Sequence, residues 1–399
     1  MKIQFAVENI PQTWKGLPLT QDQWQDWRWQ MRQSLSSLAQ FESLLSLTEV
    51  ERLAFSNSLS AESNEKIFNI RTTPYYANLM NPELQDQDPL RKIMVPHVLE
   101  KHKGLQQMLD PLGEKKNNPA PRIIRRYSDR VLFLVTDFCS VYCRYCTRKH
   151  FTGNEQVFPK QEEYQKALNY IQTHPGIREV ILSGGDPLTL GDEQLQRVFQ
   201  DLRRIDHVEI IRVGSRMPVV CPMRMTEQLA KLFQKYKPVY LMTHFNHPRE
   251  LTQTSAQALE RFVDHGVPVF NQMVLLNGVN NDAAIVQALS RRLMYLRVKP
   301  YYMHQCDPSM GTDHLRTSIE NSLEIQKELW GHLSGLAMPT LSVDIPDGAG
   351  KAYYVPDFEI EKTVSGRRYQ GWDGVRAEYI NPPASAMIKP ADQDRKSVV

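Results

Sequence analysis

Val131-Leu132-Phe133-Leu134-Val135-Thr136, followed within three residues by Cys139-Ser140-Val141-Tyr142-Cys143-Arg144-Tyr145-Cys146, reads as a buried strand running straight into a loop that carries three thiols. Outward from it, short β-branched or apolar runs alternate with amphipathic stretches at helical spacing. Strands are predicted at Val131–Thr136, Glu179–Leu182, Glu209–Val213, Val239–Thr243, Val267–Val274, Lys299–Met303 and Thr340–Asp344. Helices are predicted at Glu162–Thr173, Asp192–Arg203, Glu227–Tyr236, Ala256–His265, Asp282–Leu296 and Ile319–Leu333. Six consecutive βα units with a closing strand predict an α/β fold, a partial (βα)6 barrel with right-handed crossovers. An open doubly wound sheet is the competing arrangement, but no GxGxxG follows the first strand, which leaves a dinucleotide-binding version unsupported.

The remainder organises around that core. Residues 1–125 read as an N-terminal helical region. Gln21–Leu47 has roughly helical spacing, Thr48-Glu49-Val50-Glu51 reads as a capping box, and Pro74, Pro82, Pro89 and Pro96 punctuate the chain beyond it. The barrel is placed at 126–338, a C-terminal extension at 339–382, and a mobile tail at 383–399, where large apolar residues thin out. Net charge is only +3 on 48 basic and 45 acidic residues, without a run of like charge, so no nucleic-acid partner is expected. Charges and a proline interrupt residues 1–14, and no apolar run approaches a membrane span. A cytoplasmic protein with no membrane association is expected.

Five cysteines, an odd number in a long chain with no export signal, argue against a disulfide framework. Three of them crowd into eight residues. Thiolates are the soft ligands of iron–sulfur clusters, and three can each hold one iron of a cubane, leaving the fourth iron open. The residues alone also admit a structural zinc with His150 as fourth ligand. Zinc sites usually present two separated ligand pairs, and none is present. Cys221 and Cys306 read as buried thiols.

The CxxxCxxC spacing resembles the signature of the radical S-adenosylmethionine superfamily. There the open iron of a [4Fe–4S] cluster chelates the amine and carboxylate of S-adenosylmethionine, and reduction releases a 5′-deoxyadenosyl radical. Ser183-Gly184-Gly185-Asp186-Pro187, directly after the second strand, resembles the motif that receives the methionyl amine. The likeness then narrows. Arg126-Tyr127-Ser128-Asp129-Arg130, Ile211-Arg212-Val213-Gly214-Ser215-Arg216, Thr243-His244-Phe245-Asn246-His247-Pro248, Asn271-Gln272, Gln305-Cys306-Asp307 and Val343-Asp344-Ile345-Pro346 occur in the order found in lysine 2,3-aminomutases. The resemblance covers about residues 20 to 360.

That resemblance implies a lysine 2,3-aminomutase, an isomerase that migrates an amino group between adjacent carbons of a free amino acid. It implies Lys351 as the residue that holds pyridoxal 5′-phosphate as a Schiff base, with Arg126, Tyr127 and Arg130 around that cofactor. A nucleotide-phosphate loop would need Gly at 345 and Ser or Thr at 352, where Ile345 and Ala352 stand. The resemblance further implies Ser183, Gly184, Gly185, Asp186, Arg216, His244 and Gln272 as S-adenosylmethionine contacts. Arg148 is matched to the substrate carboxylate, and Asp307 and Asp344 to its side-chain ammonium. Two acids suit a cation and repel glutamate. Arginine or a protein-bound lysine is the alternative substrate. An external electron donor of flavodoxin or ferredoxin type and a homo-oligomer are also implied. The family's best-known members bind an intersubunit zinc through cysteines near the C-terminus and one in the barrel. No cysteine follows Cys306 here, and Asp282 stands at the barrel position. That structural zinc is expected to be absent.

Overall fold

The computed structural model describes residues 3–58, 68–102, 104, 106–149, 151–152 and 156–382. The predicted tail from residue 383 and His150 lie outside the described residues. The chain divides into two compact units between Val355 and Pro356.

In the first unit seven strands run parallel in chain order: β1 (Arg130–Thr136), β2 (Glu179–Gly184), β3 (Ile210–Gly214), β4 (Val239–Thr243), β5 (Val269–Leu275), β6 (Lys299–Gln305) and β7 (Thr340–Ile345). Six helices fill the crossovers: α1 (Gln161–Gln172), α2 (Asp192–Arg203), α3 (Glu227–Lys235), α4 (Gln253–Asp264), α5 (Ala283–Tyr295) and α6 (Ile319–Leu329). The predicted elements all form, with shifts of a few residues at their ends. The largest is at α6, which stops early because Gly331 takes φ of 80° just beyond its cap. Two antiparallel additions were not foreseen. Ile123–Ile124 lies along β1, and β8 (Gly350–Tyr353) folds back on β7. β1 therefore pairs with β2 and this short strand, and β7 with β6 and β8, so the barrel stays open.

Strand alternation explains how the sheet makes both a core and a cavity. In β2, Val180 and Leu182 are fully buried on one face, while Ile181 and Ser183 line the cavity on the other. In α2, Leu195, Val198, Phe199 and Leu202 form one fully buried stripe, each stabilising the sheet–helix layer by about 1.5–3 kcal/mol. Asp282 caps α5 by accepting from the Ala284 and Ile285 amides, which accounts for an acid at that position.

The described N-terminal region holds short helices and, unlike the all-helical expectation, a small antiparallel pairing of Thr13–Trp14 with Leu17–Pro18. Thr48 and Glu51 form the predicted capping box, with the Thr48 amide donating to Glu51 at 2.8 Å and the Glu51 amide to Thr48 at 3.3 Å. Pro74 and Pro89 each open a helix, where a missing N–H costs nothing. The second unit holds a three-stranded antiparallel sheet of β9 (Glu359–Lys362), β10 (Gly366–Gln370) and β11 (Arg376–Ile380). Its strands are charged and largely exposed, joined by ion pairs such as Arg367–Glu359 at 2.5 Å, so they lack the apolar alternation that marks a strand in sequence. Among the described residues no helix is long and apolar enough to cross a membrane.

Candidate active site

One cavity of about 730 Å³ opens within the curved sheet, lined from β1 round to β8. The cysteine loop enters it directly after β1. Backbone from the N-terminal region pins the loop at two points: the Tyr142 amide donates to the Arg71 carbonyl at 3.0 Å and the Arg144 amide to that of Ile93 at 2.8 Å. The fully buried Arg144 guanidinium donates to Glu100 at 2.8 Å. Cys139, Cys143 and Cys146 all line the cavity as free thiols. Burial, with neighbouring thiols and Asp186, pushes the Cys139 pKa well up, and burial pushes Cys146 to about 11. Such thiols ionise when a metal takes the sulfur. Among the described residues no three His, Cys, Asp or Glu side chains converge on a single metal ion. Cysteines that each ligate a separate iron have no need to converge in that way.

The glycine motif owes its composition to close approach. A Cβ on Gly184 would sit 2.1 Å from the Thr136 carbonyl oxygen, and one on Gly185 would sit 2.1 Å from that of Phe138. Only glycine allows β2 to run on against the root of the cysteine loop. The Asp186 carboxylate is committed elsewhere. It accepts from Ser215 Oγ at 2.6 Å, the Arg216 amide at 2.8 Å and the Leu188 amide at 3.0 Å, tying together the loops after β2 and β3.

Three further cationic or basic groups face the thiols. Arg216 Nη2 donates to Glu250 at 2.7 Å and Nη1 to Cys143 Sγ at 2.7 Å, between the rings of Tyr76 and Tyr145. Arg148 Nε lies 2.8 and 3.0 Å from the Glu114 carboxylate oxygens, and its Nη1 donates to Ser183 Oγ at 2.7 Å. His244 stacks on Tyr145, and burial with nearby Arg216 lowers its pKa to about 3, so the ring is neutral. Gln272 lines the wall on β5.

The opposite end is built by the β7–β8 hairpin. Its register sets Lys351 directly across from Asp344, and Nζ donates to Oδ2 at 2.7 Å. Arg126 Nη2 stands 3.6 Å from the other Asp344 oxygen. Lys351 Nζ also lies 3.4 Å from His304 Nδ1 and 5.3 Å from the Tyr302 ring centroid. Burial and the Lys351 charge push His304 well below its usual range. Arg130 lies over the Tyr127 ring at 3.8 Å and pairs with Asp129 at 2.8 Å. Asp307, at the end of β6, is pushed up to about 7 by burial and then by Asp344.

All the residues expected at the site line this cavity. Sequence reasoning missed Glu114, Glu250 and His304. Glu114 sits in a turn without periodicity, Glu250 closes a single 3-10 turn that His247 caps, and His304 is one inward position of a strand, so none announced a partner in the site. Within the cavity, Arg126 Nε and Nη2, Arg216 Nε and His244 Nε2 are buried without a hydrogen-bond partner. Buried polar atoms are normally satisfied, so this set fits polar ligands at both ends. The Arg126 donors suit an anion beside Lys351, as a cofactor phosphate requires.

An open parallel sheet whose first loop presents three cysteines to its cavity is the frame of a radical enzyme dependent on S-adenosylmethionine, and residues 133–288 match the family model of the Radical SAM superfamily. The chain is 41% identical to the L-lysine 2,3-aminomutase of Clostridium subterminale over 359 residues, 90% of this chain and 85% of that one. It is 40% identical to the L-lysine 2,3-aminomutase of Bacillus subtilis (strain 168), across 92% of this chain and 76% of that one. A glutamate 2,3-aminomutase of Clostridioides difficile (strain 630) is 36% identical, across 94% and 88%. The chain belongs to the lysine 2,3-aminomutase family, and its cofactors are a [4Fe–4S] cluster, S-adenosylmethionine and pyridoxal 5′-phosphate.

Proposed function

We propose that this enzyme interconverts L-lysine and β-lysine, moving the amino group between C2 and C3. The observation that carries the reading is the meeting of Asp307 and Asp344 with Lys351 in the cavity that also receives Cys139, Cys143 and Cys146. When bound, the cluster with S-adenosylmethionine supplies a deoxyadenosyl radical, and the pyridoxal ring supplies an electron sink.

Cys139, Cys143 and Cys146 would hold the cluster, and Ser183, Gly184, Gly185, Arg216, His244 and Gln272, which line the same cavity, would hold S-adenosylmethionine beside it. Asp186 serves that site through the Ser215–Arg216 backbone it holds. Lys351 would carry the cofactor, Arg126 and Arg130 would supply the cations for its phosphate, and the Tyr127 ring lies under Arg130. Arg148, held by Glu114 at Nε and by Ser183 at Nη1, would take the substrate carboxylate with its remaining N–H groups. Asp307 and Asp344 take the side-chain ammonium. Burial and then the Asp344 charge raise Asp307; a cation between the two acids offsets that repulsion, whereas a further carboxylate would add to it. That disfavours glutamate. The enclosed walls orient the C3 hydrogen and exclude water.

The reading extends to a one-electron donor of flavodoxin or ferredoxin type, a homo-oligomer, and a reducing cytoplasmic setting that keeps five free cysteines reduced. The test is anaerobic incubation of reconstituted enzyme with a reductant and, separately, lysine, arginine and glutamate. β-Lysine from lysine alone is expected. A β-amino acid formed only from another substrate, or none at all, would overturn the assignment.

A further inference from the structure

Glu250 is fully buried, and its carboxylate is surrounded by donors: Arg216 Nη2 at 2.7 Å, Tyr76 Oη at 2.7 Å and the amides of Asn246 and His247 at 2.6 and 3.0 Å. Arg216 is itself 8% exposed and held between two tyrosine rings. Its guanidinium is thereby fixed with one N–H on a cysteine sulfur, and its Nε is left without a partner. Burying a lone guanidinium is costly, and Glu250 offsets that cost. A surface arginine could bind a ligand without such a scaffold. The scaffold immobilises the cation against one sulfur, and it draws Tyr76 from the N-terminal region to do so.

We propose that Arg216, positioned by Glu250, sets the reduction potential of the iron–sulfur cluster through Cys143. Reduction adds one negative charge to the cluster and its thiolates. A fixed N–H donor and positive charge on a ligand sulfur stabilise the reduced form and raise the potential. Glu250 opposes this, so the pair holds the potential between the values that either charge alone would impose. Both are positioning residues, and this role rests on the cluster assignment above.

The experiment is a redox titration of the reconstituted enzyme, followed by electron paramagnetic resonance and without S-adenosylmethionine. Iron and sulfide content are measured alongside. Arg216→Met is expected to lower the midpoint potential and Glu250→Gln to raise it. Arg216→Lys keeps the charge but cannot serve both Glu250 and Cys143, and is expected to fall between Arg216→Met and the parent. If Arg216→Met does not load a cluster, the lysine and Glu250→Gln variants decide. Cluster-loaded variants that all titrate with the parent overturn the proposal, as do Arg216→Met and Glu250→Gln shifts of the same sign. A parent protein that binds no iron–sulfur cluster instead overturns the function assigned above.

Discussion

At the cysteine end of the cavity, each of three arginines is tied to a buried or nearly buried acid from elsewhere in the chain: Arg216 to Glu250, Arg148 to Glu114 and Arg144 to Glu100. At the hairpin end the charges face one another. Lys351 and Arg126 share Asp344, while burial and then that same carboxylate push Asp307 up to about 7. The first arrangement is set before any ligand arrives, because the compensating acids lie behind the cations. The second could exchange partners, because a cofactor held by Lys351 would take it away from Asp344 and a bound cation could replace it. One end of the site is rigid and one is adaptable, as a common radical source serving a particular substrate requires.

The largest expected effect separates the two ends. Cys143→Ala should abolish cluster loading and reduce formation of 5′-deoxyadenosine to background, whereas Lys351→Ala should lose the absorption of bound pyridoxal phosphate and all β-lysine while retaining the iron. Loss of iron in the lysine variant would show that the ends are not independent. Next comes Glu114→Gln, which leaves the buried Arg148 charge without its acid. A fall of about 2–3 kcal/mol in kcat/KM for lysine, roughly 30–150-fold, is expected. An unchanged value would place Arg148 outside substrate recognition.

A smaller effect tests the adaptable end. Below pH 7 Asp307 is protonated and offers no charge to an ammonium; above it the carboxylate attracts one. With a pKa of about 7, the ionised fraction rises roughly tenfold between pH 6 and pH 8, and lysine affinity should rise with it. Titration of lysine binding across that range checks the sign. Asp307→Asn should bind lysine more weakly at pH 8 and lose most of the pH dependence. The smallest effect concerns the frame. Asp282→Ala removes the cap of α5 and should cost about 1 kcal/mol of stability, read as a modest fall in Tm with turnover intact.

The βα order of the barrel and the position of the cysteine loop were legible in the sequence because both are local. Alternating apolar residues declare a strand, and three thiols within eight residues mark a candidate metal-binding loop wherever the chain folds. The charged sheet of residues 359–380 was not legible, since Arg368, Glu361 and Glu378 pair across strands without an apolar face. Nor was the hairpin. In sequence Asp344 reads as a substrate acid, and only the register of β7 on β8 shows it bonded to Lys351.

By itself the sequence determined the class of fold and set three thiols on the loop after the first strand, because periodicity and residue spacing act over a few residues; Lys351 was named there through the family resemblance. The tertiary structure alone decided which acid stands behind which cation. Glu114 reaches Arg148 from 34 residues away, and Glu250 reaches Arg216 from 34 residues in the other direction. Neither glutamate's neighbours in sequence name the arginine it meets; the pattern around Glu250 declares only the cap of its own short helix. Each partner is chosen by long-range packing, where a buried charge must find its counter-charge or not be buried at all.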